Sequence, residues 1–89
     1  MKEGDIEINN ERGLHARAAS KFVHLASKYA STVKLRKDGV TVDGKSILGI
    51  LLLQASKGSR IRLTVDGEDE ENAFDTLSEM ISGRFGEKK

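Results

Sequence analysis

The chain has 89 residues, 37% hydrophobic and 33% charged, with neither cysteine nor proline. This is the balance of a small globular chain with a modest core, and it excludes disulfides, thiolate metal sites and cysteine nucleophiles. Residues 1–65 hold 12 Lys/Arg against 6 Asp/Glu (net +6) and residues 66–89 hold 3 against 8 (net −5), an asymmetry that suits an anionic partner but falls short of the balance of a nucleic-acid binder.

In chain order, DIEIN (residues 5–9) alternates apolar and polar as a half-buried strand does. NERG (10–13) is a turn. From residue 15 the period changes: Ala19, Phe22, Val23, Ala26 and Ala30 mark one face of a helix. Thr32 to Arg36 alternates again, with Val33 and Leu35 on one side. Asp38-Gly39 is a hairpin signal, and Val40–Val42 is the returning strand. Asp43-Gly44 turns the chain, Ser46 is the N-cap of a short apolar helix over ILGILLLQA, and Gly58 is its stop. Arg60 to Val65 alternates with Ile61, Leu63 and Val65 inward. Asp66-Gly67 is a turn, and the acidic residues 68–71 suit the dipole of a last helix. Ala73, Phe74, Leu77, Met80, Ile81 and Phe85 form its apolar stripe, and GEKK (86–89) is a frayed tail. The order is β-α-β-β-α-β-α. Each strand has one apolar face, so all three helices cover the same side of the sheet, an α+β open-faced sandwich.

No apolar run reaches the roughly 20 residues of a membrane span, and MKEGDIEI lacks the apolar centre of a signal peptide. With no cysteine in so small a chain, the expectation is a cytoplasmic protein that does not insert into membranes.

GLHARAAS (13–20) holds the chemistry. His15 falls at or beside the start of the first helix, where the amides of Ala16, Arg17 and Ala18 lack intrahelical acceptors and form an anion site with the dipole. A helix N-terminus disfavours the imidazolium, and neutral imidazole is the nucleophilic form. A phosphoryl group on His15 would meet those amides at once, and Arg17 would add a charge-assisted bond. The plain alternative is an ordinary polar helix start. His24, off the apolar stripe, is a surface histidine, and two histidines with no cysteine make no metal site. A second constellation is DGKSILGILLL: the helix after Ser46 is too apolar to be fully buried, so part of it forms an exposed patch for a partner. A phosphate on Ser46 would suit the helix dipole and disturb docking beside it.

GLHAR at 13–17, DGKSILGI at 43–50 and the SKG turn at 56–58 together resemble the HPr family of bacterial phosphocarrier proteins, over essentially the whole chain. The resemblance implies one HPr-like domain over residues 1–89 with a four-stranded antiparallel sheet and three helices on one face. It implies a phosphocarrier, not an enzyme: a stoichiometric carrier that accepts a phosphoryl group on His15, at Nδ1, from phospho-enzyme I and passes it to IIA-type proteins of the phosphotransferase system. Arg17 would stabilise the phosphate, and Ser46 would be the regulatory site wherever an HPr kinase/phosphorylase exists. The family's docking surface corresponds to Ala16, Ala18, Ser20, Lys21, Ile47, Leu48, Gly49, Leu51 and Leu52, with Arg17, Lys21 and Lys45 as a basic rim for acidic partners. No cofactor, metal or nucleic acid is implied, and serial partners suit a monomer. HARAA, where most HPr sequences read HARPA, looks more like the family's nitrogen-branch relatives, which leaves a regulatory output open beside sugar transport. A regulatory protein acting through Ser46 also stays open. An RNA-binding sheet is disfavoured by only 4% aromatic residues, and a small hydrolase by the lack of a second group near His15 in sequence.

Overall fold

In the computed structural model, which describes residues 1–89, these patterns become β1 (Lys2–Glu7), α1 (Ala16–Ala26), β2 (Thr32–Lys37), β3 (Val40–Asp43), α2 (Ile47–Leu52), β4 (Arg60–Asp66), α3 (Glu70–Ser82) and a 3-10 turn, Arg84–Gly86. The strands pair antiparallel in the order β1-β4-β2-β3. In β4, Ile61, Leu63 and Val65 are buried, and so are Val33 and Leu35 of β2, opposite them in register. The helices supply the other half of that core: Ala18, Ala19, Phe22 and Ala26 from α1, Ile50 from α2, and Ala73, Leu77 and Ile81 from α3. The opposite face of the sheet is charged. Arg62 there bonds Glu3 (2.9 Å) and Asp5 (3.1 Å) across the β1–β4 pairing. One apolar face per strand therefore gives the expected one-sided sandwich. The β2–β3 hairpin turns at Asp38 (φ 50°) and Gly39 (φ 82°), both left-handed as a tight two-residue turn requires.

Four boundaries differ from the sequence reading. β1 ends at Glu7, because the Ile8 amide and carbonyl bond Ser59 and Gly58, in the loop before β4 (2.8 and 2.7 Å), instead of continuing the ladder. α1 ends at Ala26, and Ala30 is exposed: the Ala30 and Ser31 amides turn away to the carboxylate of Asp69 (2.8 and 3.0 Å). α2 ends at Leu52, and Gly58 does not cap it, because Gln54 (φ 49°) already takes the left-handed conformation that breaks the helix. Phe85 is buried as its stripe predicts, but in the turn after α3, where Arg84 and Phe85 have φ of 59° and 55°. That turn brings the tail back onto the molecule. The Glu11 amide donates to the Lys89 carbonyl (3.0 Å) and the Glu87 amide to the Arg84 carbonyl (2.9 Å), so GEKK is not frayed.

Asp69, just ahead of α3, ties the start of that helix to the start of β2. It accepts from both amides and from the Ser31 hydroxyl (2.5 Å), on a serine that is itself buried. The Ser31 hydroxyl, followed by the amides, holds the Asp69 carboxyl below the ordinary aspartate range. A carboxyl depressed on folding stabilises the fold above its unfolded pKa, about 3.9, and that stability is lost as pH falls through its folded value. Asp69→Asn should therefore lower the thermal midpoint at about pH 7, with the gap to wild type closing in strong acid. A gap that persists unchanged at about pH 2 would show that charge on Asp69 is not what ties the two elements.

Candidate functional site

Three residues deliver His15 to its place. Asn10 is fully buried; its Nδ2 donates to the Gly13 carbonyl (2.9 Å), and the Gly13 amide donates to the Asn10 carbonyl (3.1 Å). Gly13 has a φ of 64°, and a Cβ there would lie 2.4 Å from the Ala55 carbonyl oxygen, so conformation and space both require glycine. Leu14 is buried, and its amide donates to that same Ala55 carbonyl (2.8 Å). The chain is thus anchored one residue before the histidine.

His15 is the N-cap of α1, in extended conformation (φ −78°, ψ 176°). Its Nδ1 accepts the Arg17 amide at 3.3 Å, the bond that a serine or aspartate side chain makes at most helix starts. Its Nε2 bonds Oε2 of Glu87, whose Oε1 accepts from Asn10 Nδ2 (2.9 Å). Burial alone would raise the Glu87 carboxyl. The hydrogen bonds from Asn10 and His15, with positive charge nearby at Arg12, outweigh it and hold Glu87 below the ordinary glutamate range. The His15 side chain keeps 16% of its surface exposed, enough for an incoming group to reach the ring. Arg17 gives its amide to the cap and is itself exposed, beside the first-turn donors.

The second motif is built in the same way. Ser46 caps α2, its Oγ accepting from the Gly49 amide (3.0 Å), and Gly49 leaves the hydroxyl room: a Cβ there would meet it at 3.3 Å. Ile50 faces the core, and the helix exposes Ile47 (40%), Leu48 (76%) and Leu52 (74%). Gly49 and Leu51 are half-buried, and on α1 Ala16, Ser20 and Lys21 are exposed. α1 and α2 pack against each other, with the chain after α2 beside the histidine loop (Leu14 amide to the Ala55 carbonyl, 2.8 Å) and the start of α2 beside the chain after α1 (Lys45 Nζ to the Tyr29 carbonyl, 2.8 Å).

Three residues expected on the docking surface differ in detail. Ala18 is fully buried: at the third position of α1 it turns inward, its side chain packing in the core beside Ala19 and Phe22. The ammonium of Lys45 is turned to the Tyr29 carbonyl (2.8 Å) and that of Lys21, still exposed, to the Phe85 carbonyl (3.0 Å), so both are tied to the protein's own backbone. Sequence reasoning missed Asn10 and Glu87. Asn10 read as turn chemistry, and Glu87 stood in a charged tail 72 residues from His15; no local pattern marks either. The side chains hold no cluster of three or more His, Cys, Asp or Glu that could bind a metal.

Set beside known proteins, the chain matches the PTS-HPr family, described as the PTS HPr component phosphorylation site, over residues 2–83. It is 46% identical over 87 residues to the phosphocarrier protein HPr of Cupriavidus necator, covering 98% of each chain. The crystal structure of HPr-C-His from Thermoanaerobacter tengcongensis superposes with a TM-score of 0.96 at 46% identity, over the whole of both chains. A crystal structure of an HPr dimer from the same organism matches with a TM-score of 0.78 at 47% identity, over 98% of this chain and all of that one.

Gly13→Ala should cost more than about 1 kcal/mol in urea denaturation, since alanine there is strained in φ and pressed against backbone. An unchanged midpoint would mean that the Ala55–Ser56 segment moves aside freely and does not hold the histidine loop.

Proposed function

The chain belongs to the PTS-HPr family, and from that membership we propose that it carries a phosphoryl group on His15 Nδ1 between enzyme I and IIA-type proteins of the sugar phosphotransferase system. The observation that carries this reading is the imidazole that caps α1, its Nδ1 pointed at the amides of the first turn. In the acceptor step the Nδ1 lone pair attacks the phosphorus of a phosphohistidine on the donor protein. The new N–P bond forms as the donor's N–P bond breaks, and that electron pair returns to the donor imidazole. The phosphoryl oxygens then take over the Arg17 amide, which the ring had capped, and meet the other free first-turn amides, and Arg17 supplies a guanidinium to them. The second transfer is the same step with the roles exchanged. Positioning and charge account for most of the acceleration in such a transfer.

Docking falls to the exposed apolar residues of α2, Ile47, Leu48 and Leu52, with Ala16 and Ser20 of α1 beside the histidine, and Leu51 and Gly49 at the edge. A small apolar centre with a polar rim suits short-lived complexes with serial partners. On this reading residues 1–89 act as one HPr-like domain in the cytoplasm. Ser46, half-buried at the α2 cap, is the regulatory site for an HPr kinase/phosphorylase. Ala18 in place of proline keeps an amide in the first turn and favours, as the second reading, a nitrogen-branch carrier with a regulatory output. A carrier is expected to work as a monomer; the dimeric relative makes light scattering of the free protein part of the test.

Incubation with phosphoenolpyruvate and enzyme I should add one phosphoryl group to wild type and none to His15→Ala, read by intact mass, and mild acid should remove it. Running sugar-branch and nitrogen-branch enzyme I in parallel chooses the pathway, and no gain with either sinks the carrier reading. Leu48→Asp should raise the KM for enzyme I about tenfold or more without lowering the thermal midpoint. An unchanged KM would move docking off α2.

A further inference from the structure

Resting on the carrier reading, we propose that Glu87 is a positioning residue for the transfer: it fixes the His15 ring through Nε2 and balances the charge that forms there when Nδ1 is phosphorylated. Nδ1 accepts a backbone N–H, so its lone pair faces the helix start, and the proton of the neutral ring sits on Nε2, against Glu87. When Nδ1 gives its lone pair to phosphorus, the ring keeps that proton and becomes formally cationic. A carboxylate already bonded to Nε2–H stabilises this product. It also retains the proton that lets the ring leave as neutral imidazole, instead of imidazolate, in the second transfer.

The carboxylate is held for this task. Asn10, with no exposed surface, fixes its other oxygen, and Phe85, also buried, plants the turn that precedes it. Lys21 bonds the Phe85 carbonyl (3.0 Å), and the Lys89 carbonyl accepts from Glu11 (3.0 Å). Arg12 adds a positive charge on the Glu87 side and Arg17 lies on the phosphate side. Glu87 therefore acts through His15, which separates it from the docking residues.

The test compares wild type, Glu87→Gln and Glu87→Ala. Single-turnover transfer from phospho-enzyme I should show the rate at saturation falling about tenfold or more in both variants, with KM for enzyme I unchanged. Proton NMR should show a His15 Nε2–H resonance protected from solvent exchange in wild type and lost in Glu87→Ala. Glutamine keeps a bond to the ring but not the charge, so a slow Glu87→Gln with a wild-type thermal midpoint separates this role from a structural one. Wild-type kinetics in both variants, or no protected Nε2–H in wild type, would overturn the proposal and leave the carrier reading standing. A wild type that takes no phosphoryl group at all would fail the carrier reading and the proposal together.

Discussion

The first-turn amides of an α-helix have no partners within it, and something outside must accept them. In this protein that constraint is met at α1 by an imidazole. The choice is unusual energetically, because aspartate, asparagine or serine caps better. It makes sense once the cap is allowed to change hands. At rest the ring nitrogen satisfies the Arg17 amide over a long 3.3 Å, a weak bond that is cheap to give up. A phosphate in its place brings several strong acceptors to the same donors. On the proposed carrier reading, the Arg17 amide would keep an acceptor with the phosphate as it does with the ring.

The same economy recurs elsewhere. Two polar residues are buried, Asn10 and Ser31, and each is met by a carboxylate from far along the chain, Glu87 and Asp69. Burying a hydrogen-bonding side chain without a partner is costly, so each pair fixes a chain crossing that apolar packing alone would leave loose. One crossing joins the start of β2 to the start of α3. The other joins the histidine loop to the tail. The apolar core fixes the layers, and these two polar contacts fix how the loops above and below them meet.

What the sequence makes legible follows the range of each interaction. Alternation in DIEIN and in Arg60–Val65, the Asp38-Gly39 hairpin and the Ser46 cap are local, and the structure has each of them. His15 as the helix start is equally local, since the rise in apolar periodicity begins just after it. Boundaries went astray where a distant partner intervened: Asp69 ends α1 early, and the loop before β4 takes over Ile8. Ala18 sits in a run of three small residues, and only the rotation of α1 on the sheet decides which of them faces the core. The tail was unreadable for the same reason. EKK is a charged run with no period, and Phe85 fits a continued α3 stripe. The left-handed backbone that redirects it falls on Arg84 and Phe85, between Gly83 and Gly86, and non-glycine residues at positive φ give no local signal.

Because the His15 site draws one member from residue 87, it is completed only when the last segment of the chain has docked. That segment is held by one buried phenylalanine, by the bonds of Glu87 to Asn10 and His15 and by a few further hydrogen bonds, and terminal segments with few buried contacts open at lower free-energy cost than a core. Each local opening takes the carboxylate away and leaves the imidazole solvated at Nε2 while the rest of the fold stays closed. The state of the histidine is thus coupled to a local fraying equilibrium rather than to global unfolding, and hydrogen exchange at the amides of Glu11 and Glu87 measures its frequency.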